Sequence, residues 1–299
     1  MYEICPPIDF SSDESTLRPT SSHPLEVEMR TRSWLSVLAG LQLLLVSQAA
    51  TAVDGRIEIN QAKALAGGVT AGDLAGFPVS INTPGSFVLT SDLDVTFLGL
   101  PQSANTTAIE ITLGVSGTSI DLNGFAIRGP DSAGTGAGVS GEADVRNGSV
   151  LGMGSDGIQG SGSVDSVRAT GNKGWGIKVS FGHVTRCVAA VNTVGGISVS
   201  NGAIADSLAI QNLGPGIQLN GGTAENVTTQ NNVGVEVNLL GARLGHSTIA
   251  VNAAADFTCS VCALEGNKFN GCAGAGCFGA GTILQVPPAS NMCGNVVCP

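Results

Sequence analysis

The chain has 299 residues, 43 of them Gly, with 12% charged and 4% aromatic residues and a formal net charge of −10. So few Glu, Lys and Arg exclude a long solvated helix or coiled coil, and a 42% hydrophobic content excludes a charged disordered chain. The acidic balance, with no basic footprint to neutralise phosphates, excludes nucleic acid as a partner.

Residues 1–28 form a polar leader ahead of a second Met, Met29, as a mis-assigned start would leave. Residues 29–52 carry the three parts of a signal peptide: basic Met29-Arg30-Thr31-Arg32, apolar Trp34 to Val46, and a small-x-small site at Ala50-Thr51-Ala52. The apolar run is too short to span a bilayer comfortably, so no membrane span is expected in the mature protein. Export to the periplasm or the outside is the expected localisation. Without residues 1–52, ten Lys and Arg face 17 Asp and Glu, a net charge of −7.

Residues 53–117 read as an N-terminal cap with the first strands. Asn60 and Gly67 bracket a short helix as N-cap and C-cap. Phe87-Val88-Leu89 and Leu93-Asp94-Val95 read as strands around a turn.

Residues 118–258 carry a repeat. Asn172, Asn192, Asn212, Asn232 and Asn252 recur at intervals of 20. Gly157-Ile158, Gly176-Ile177, Gly196-Ile197, Gly216-Ile217 and Gly234-Val235 recur with them, the last pair two residues early. Counting from each Asn gives apolar columns: Val164, Val184, Ile204, Ala224 and Leu244 in one; Ile177, Ile197 and Ile217 in another; Val179, Val199 and Leu219 two positions on. Spacing by two is the strand period, and like above like is the mark of stacked coils. No helical repeat has this length, and no Leu-x-x-Leu-x-Leu signature is present. The pattern predicts a parallel β-helix of about seven coils, beginning near Ile120, Val145, Val164, Val184, Ile204, Ala224 and Leu244, about 34 Å long. The Asn ladder is expected at a bend, with left-handed backbone and side-chain amides bonding to the rungs above and below.

Residues 259–299 read as a disulfide-rich C-terminal cap. Cys259, Cys262, Cys272, Cys277, Cys293 and Cys298 crowd there without any following His, and six cysteines in an exported chain favour three disulfides over a metal site. Their pairing stays open among 15 arrangements. Cys187 falls in an inward column as a buried, unreactive thiol.

Ile120–Ile127 (IDLNGFAI), Val145–Val150 with Gly157-Ile158, the Gly-Ile and Asn coils to Asn252, and the segment Gly67–Asp73 with Gly76–Val79 and Pro84-Gly85 resemble exported bacterial right-handed parallel β-helix proteins of the pectate-lyase-like superfamily. The resemblance covers about residues 57–258 and implies an all-β, right-handed parallel β-helix solenoid. It implies little about function, because such relatives include polysaccharide lyases and epimerases beside proteins without assigned activity.

The candidate chemistry lies six residues before each Asn: Ser166, Arg186, Asp206, Asn226 and His246. Arg186, Asp206 and His246 are the catalytic candidates, Arg186 as a base beside a carboxylate as in lyases of the superfamily. Asn226, Trp175 and His183 are the substrate-binding candidates. The superfamily's catalytic patterns do not carry over. Asp165 and Glu225 share an outward column but lie three rungs apart, about 14 Å, too far to share a calcium ion. No Asp-Asp pair exists, Gly182-His183-Val184 lacks a second Gly, and Gly176-Ile177-Lys178 lacks the Arg. The mature chain has one Trp and no Tyr with which to stack sugars. The expectation is a scaffold that contacts polysaccharide, or another extracellular surface component, without turnover and without a cofactor. The alternative is a lyase or epimerase acting on a uronic-acid polymer, for which calcium would be the cofactor.

Overall fold

The computed structural model describes residues 55–250, 257–270, 283–285, 291–293 and 296–297. The leader, the signal segment, Asn252, Cys272, Cys277 and Cys298 lie outside the described residues, as does the side chain of Cys293.

The described chain is a parallel β-helix in which three rows of short strands run up the molecule. In the first row Ile57 pairs with Phe87, Phe87 with Ile120, and the line continues through Val145, Val164, Val184, Ile204, Ala224, Leu244 and Leu264 to Gln285. The second row runs from Leu93 through Ile127, Val150, Ala169, Ala189, Ala209, Thr229 and Ile249 to Phe269 and Cys293. The third runs from Val79 through Ile109, Val139, Ile158, Ile177, Ile197, Ile217 and Val237 to Phe257. The seven predicted coils are present, and the same pairing continues on both sides of them. Residues 57–100 therefore stack as coils in their own right instead of only closing the end. The C-terminal pairing likewise runs past 258, through Cys262–Glu265 and Lys268–Asn270.

The core follows from the two-residue period. Ile177, Ile197, Ile217 and Val237 are buried completely, as are Val184, Ala224 and Leu244. Burying each Ile, Val or Leu among them contributes about 1.5–3 kcal/mol. The predicted cap helix is present at Gln61–Ala66: Asn60 Oδ1 accepts from the Lys63 amide at 2.9 Å, and Gly67 closes it at φ 76°.

Two expectations about the Asn column change. The ladder residues are not the left-handed ones. Gly171, Val191, Gln211 and Asn231, each one position earlier, take positive φ. That bend turns the following Asn inward, where Asn172, Asn192 and Asn212 are wholly buried. Asn192 and Asn212 Oδ1 each accept from both the backbone N–H and Nδ2 of the Asn one coil before, at 2.9–3.0 Å, and Asn172 Oδ1 accepts from the Met153 N–H at 3.0 Å. Each Nδ2 also donates to a second-row carbonyl, as Asn192 does to Ala169. A buried amide is tolerated only when bonded in this way. The second change is in register: Ile217 pairs with Val237, so Glu236-Val237, and not Gly234-Val235, continues the Gly-Ile pairs without irregularity. Glu236 takes the glycine place, and its carboxyl oxygens stand in for the next Asn Oδ1, accepting from Asn232 N at 3.0 Å and Nδ2 at 2.6 Å. In the ladder coils before it that place is held to Gly: a Cβ on Gly196 would fall 2.4 Å from the Gly216 carbonyl and 2.8 Å from Asn212 Nδ2.

Candidate functional site

The bend between the first and second rows carries the predicted catalytic column. Asn123, Asn147, Ser166, Arg186, Asp206, Asn226 and His246 all have φ between 46° and 58°. This conformation is uncommon for residues other than Gly, and Asn and Asp tolerate it best. The column thus shares a backbone cause: every coil turns here, and the turning side chain projects outward.

Its members do not converge. Arg186 reaches back one rung, donating from Nη2 to Asp165 and from Nε to Ser166 Oγ at 3.3 Å. Asp206 accepts from Asn226 Nδ2 on the following rung at 2.5 Å. His246 Nδ1 lies against Glu225. Among the described residues no ion pair or hydrogen bond joins Arg186, Asp206 and His246 to one another. A guanidinium clamped by a carboxylate is also poorly placed to accept a proton.

Glu225 is shared. Arg243 Nη1 donates to it at 3.2 Å, and Nη2 donates to Glu265. The bond to Glu265, against a smaller loss from burial and with the charge of Glu225 adding to it, raises the Arg243 pKa above its ordinary value. Arg243 and Glu265 escaped the sequence reading because neither falls in the bend column. They are outward first-row residues, and only the register makes them neighbours of His246. At the other end of this edge, burial of Asp121 opposes its ionisation. The Arg56 guanidinium, the Asn123 amide, Asn147 and Arg146 outweigh it and hold the carboxyl below its usual range. Asp165 and Glu225 do share a column, with Thr185 and Ala205 between them. This separation does not fit a shared calcium ion, and no group of three or more His, Cys, Asp or Glu capable of holding a metal occurs among the described residues.

The binding candidates separate. His183 is exposed on the first row and pairs with Ala203. Trp175 is only 8% exposed. Its ring covers Gly195 on the next rung, where a Cβ would fall 2.2 Å from Cζ3. Trp175 is therefore packing, not a platform for a sugar, because the glycine beneath it lets the ring lie flat against the coil.

The cysteines resolve in part. Cys259 and Cys262 form a disulfide across the bend at Val261, with Cα atoms 5.9 Å apart. Both are buried, at the start of the predicted cap. Cys187 is a buried free thiol, and burial pushes it up to about 11.

The outward face of the third row presents a second surface. One outward column reads Glu110, Ser140, Gln159, Lys178, Ser198, Gln218, Asn238 and Thr258. Its neighbour reads Glu142, Ser161, Ser180, Ser200, Asn220, Leu240 and Ser260. A cleft of about 220 Å³ opens among Gln218, Asn220, Asn238, Thr258 and Ser260. A larger one of about 500 Å³ opens toward the N-terminal end, among Glu110, Thr112, Ser140, Glu142, Ser180 and Phe181. Phe181 is 75% exposed with φ 55°. It occupies a bend position that later coils give to Asn201, Gly221 and Gly241. An exposed aromatic in a column of turn residues was the signal available in the sequence.

No protein-family model matches the chain, and no curated protein matches it. Among solved structures, the chain is similar to the A-module of the mannuronan C-5 epimerase AlgE4 of Azotobacter vinelandii. The identity is 12%, over 79% of this chain and 88% of that chain, with a TM-score of 0.35. A likeness at this distance carries no residue roles.

Proposed function

We propose that the protein is an exported β-helix scaffold that binds polysaccharide along the third-row face without turnover. The observation that carries this reading is the outward column from Ser140 to Thr258, hydroxyl and amide side chains at every rung but that of Lys178, with a cleft toward each end. Rungs are spaced about 4.8 Å apart, close to the length of one pyranose unit. Successive sugars laid along the axis would therefore meet equivalent donors and acceptors on successive coils. Serine, Gln and Asn supply both hydrogen-bond roles, which is what sugar hydroxyls require.

Turnover would need a base and a charge-stabilising group facing one reacting carbon. Arg186, Asp206 and His246 are each engaged with a different neighbour, which supports binding without chemistry. The rival reading, a lyase or epimerase acting on a uronic-acid polymer, draws its support from His246 and Arg243 meeting at Glu225.

Titration of the purified protein with neutral, amino-sugar and uronic-acid polysaccharides separates the two readings. Binding without product is expected, weakened about tenfold, or about 1.4 kcal/mol, by the double substitution Gln218→Ala/Asn238→Ala. Ultraviolet absorbance of an unsaturated uronate, or an epimer signal by proton NMR, lost on His246→Ala, would establish the rival.

A further inference from the structure

The larger cleft differs from the rest of the third-row face in charge, shape and rim. Its floor is backbone. Gly141 and Gly160 stand where the next coils place Val179 and Val199, and their φ angles are 116° and 147°. A Cβ on Gly160 would fall 1.8 Å from the Gly141 carbonyl, and one on Gly141 would fall 2.6 Å from the Ile111 carbonyl. These contacts hold both positions to Gly, and both line the cleft.

The rim is apolar on two sides. Phe181 is 75% exposed and Leu113 fully exposed, and both line the cleft. Such side chains in water have a use when a partner covers them, and the C–H face of a pyranose ring is an apolar surface of matching size.

The walls are acidic. Glu110 and Glu142 are exposed, and neither makes an ion pair or hydrogen bond among the described residues. Glu110 pairs with Ser140, two positions before Glu142 on the next strand. Strand rise and spacing put the two about 8 Å apart at Cα, a gap that one sugar unit fills. Lys178 lines the adjoining depression with Ser140 and Gln159, also exposed and without an ion pair. The three groups together carry a net negative charge. The exported chain as a whole is acidic too, so a polyanion is repelled both at long range and inside the cleft.

We infer that this cleft takes one unit of an amino-sugar polymer bearing free, protonated amino groups, with the ring against Phe181 and the ammonium between Glu110 and Glu142. The inference rests on the polysaccharide-binding reading and names the glycan class that reading leaves open. The charge rules out a uronate, and the exposed Phe181 and Leu113 give the ring a surface that a bare cation would not use.

The test measures binding of the purified protein to three soluble probes of equal length: glucosamine oligomers, their fully N-acetylated counterparts and oligogalacturonates. At low salt the glucosamine oligomers should bind at least tenfold more tightly than the N-acetylated ones, and oligogalacturonates most weakly. Glu110→Gln/Glu142→Gln should erase that preference while leaving N-acetylated binding within about twofold. Phe181→Ala should weaken both sugars five- to tenfold. Glu58→Gln/Asp131→Asn, which removes two charges elsewhere, should keep the preference and so separates site binding from general attraction of a polycation. Tightest binding to oligogalacturonates, or a preference that survives the Glu110→Gln/Glu142→Gln change, overturns the amino-sugar inference and leaves polysaccharide binding standing. Failure of every probe to bind overturns both.

Discussion

The inner Asn column and the outer bend column share a 20-residue period and similar side chains, yet their energetics are opposite. Inside, Asn172, Asn192 and Asn212 are fully buried, and each amide is bonded on both sides. Outside, Arg186, Asp206 and His246 are exposed and pair with whichever neighbour their rung offers. Burial turns a polar repeat into an obligatory network, while exposure leaves it free to vary in identity. The inner column therefore stays Asn where the outer one drifts through Ser, Arg, Asp, Asn and His.

Substitution at the two columns should expose that difference. Asn212→Leu leaves the Asn192 N–H and Nδ2 without their acceptor in a dry core, and should cost about 3 kcal/mol, read by urea unfolding. Asp121→Asn sits between the extremes, at a carboxylate that is mostly buried yet held by Arg56 and Arg146. It should cost about 1–2 kcal/mol at pH 7. Because the folded pKa of Asp121 is lowered, its contribution is present above the unfolded value of about 3.9 and lost as pH falls through the folded value. The gap between Asp121→Asn and the parent protein should therefore close below about pH 3.9, followed by thermal melting across pH. Arg186→Ala should shift stability by no more than about 0.5 kcal/mol, since its ion pair with Asp165 is exposed. A loss as large as that of Asn212→Leu would show that the outer column is also structural.

Where the chain repeats at a fixed length, from Val164 to Leu244, the sequence displays its coils openly. Before that, successive first-row positions fall at Ile57, Phe87, Ile120 and Val145, at unequal intervals. The helix Gln61–Ala66 and a second at Gln102–Asn105 lengthen those turns without disturbing the strands between them. Period alone therefore reads these coils as a cap, although their pairing is the same. Likewise Asn267 and Asn291 form a second buried ladder in the column of Cys187, Ser207 and Ser247, and their 24-residue interval hid it. The candidate site was legible at the level of the bend: Arg186, Asp206, Asn226 and His246 do share one edge. Which groups meet there depends on rotamers that spacing does not set. Phe181 is marked in the sequence only by standing in a column of Asn and Gly, and burial separates it from Trp175.

The amide ladder also has a direction. Asn172, Asn192, Asn212 and Asn232 each donate toward the next coil, the first three to the following Asn and Asn232 to Glu236. A chain of this kind changes length in whole units. Excising or duplicating one block between equivalent Asn residues rejoins a donor to an acceptor, so the stack shortens or grows by one rung. The repeat unit of the ladder is thus also the unit by which the third-row face can lengthen or shorten under duplication.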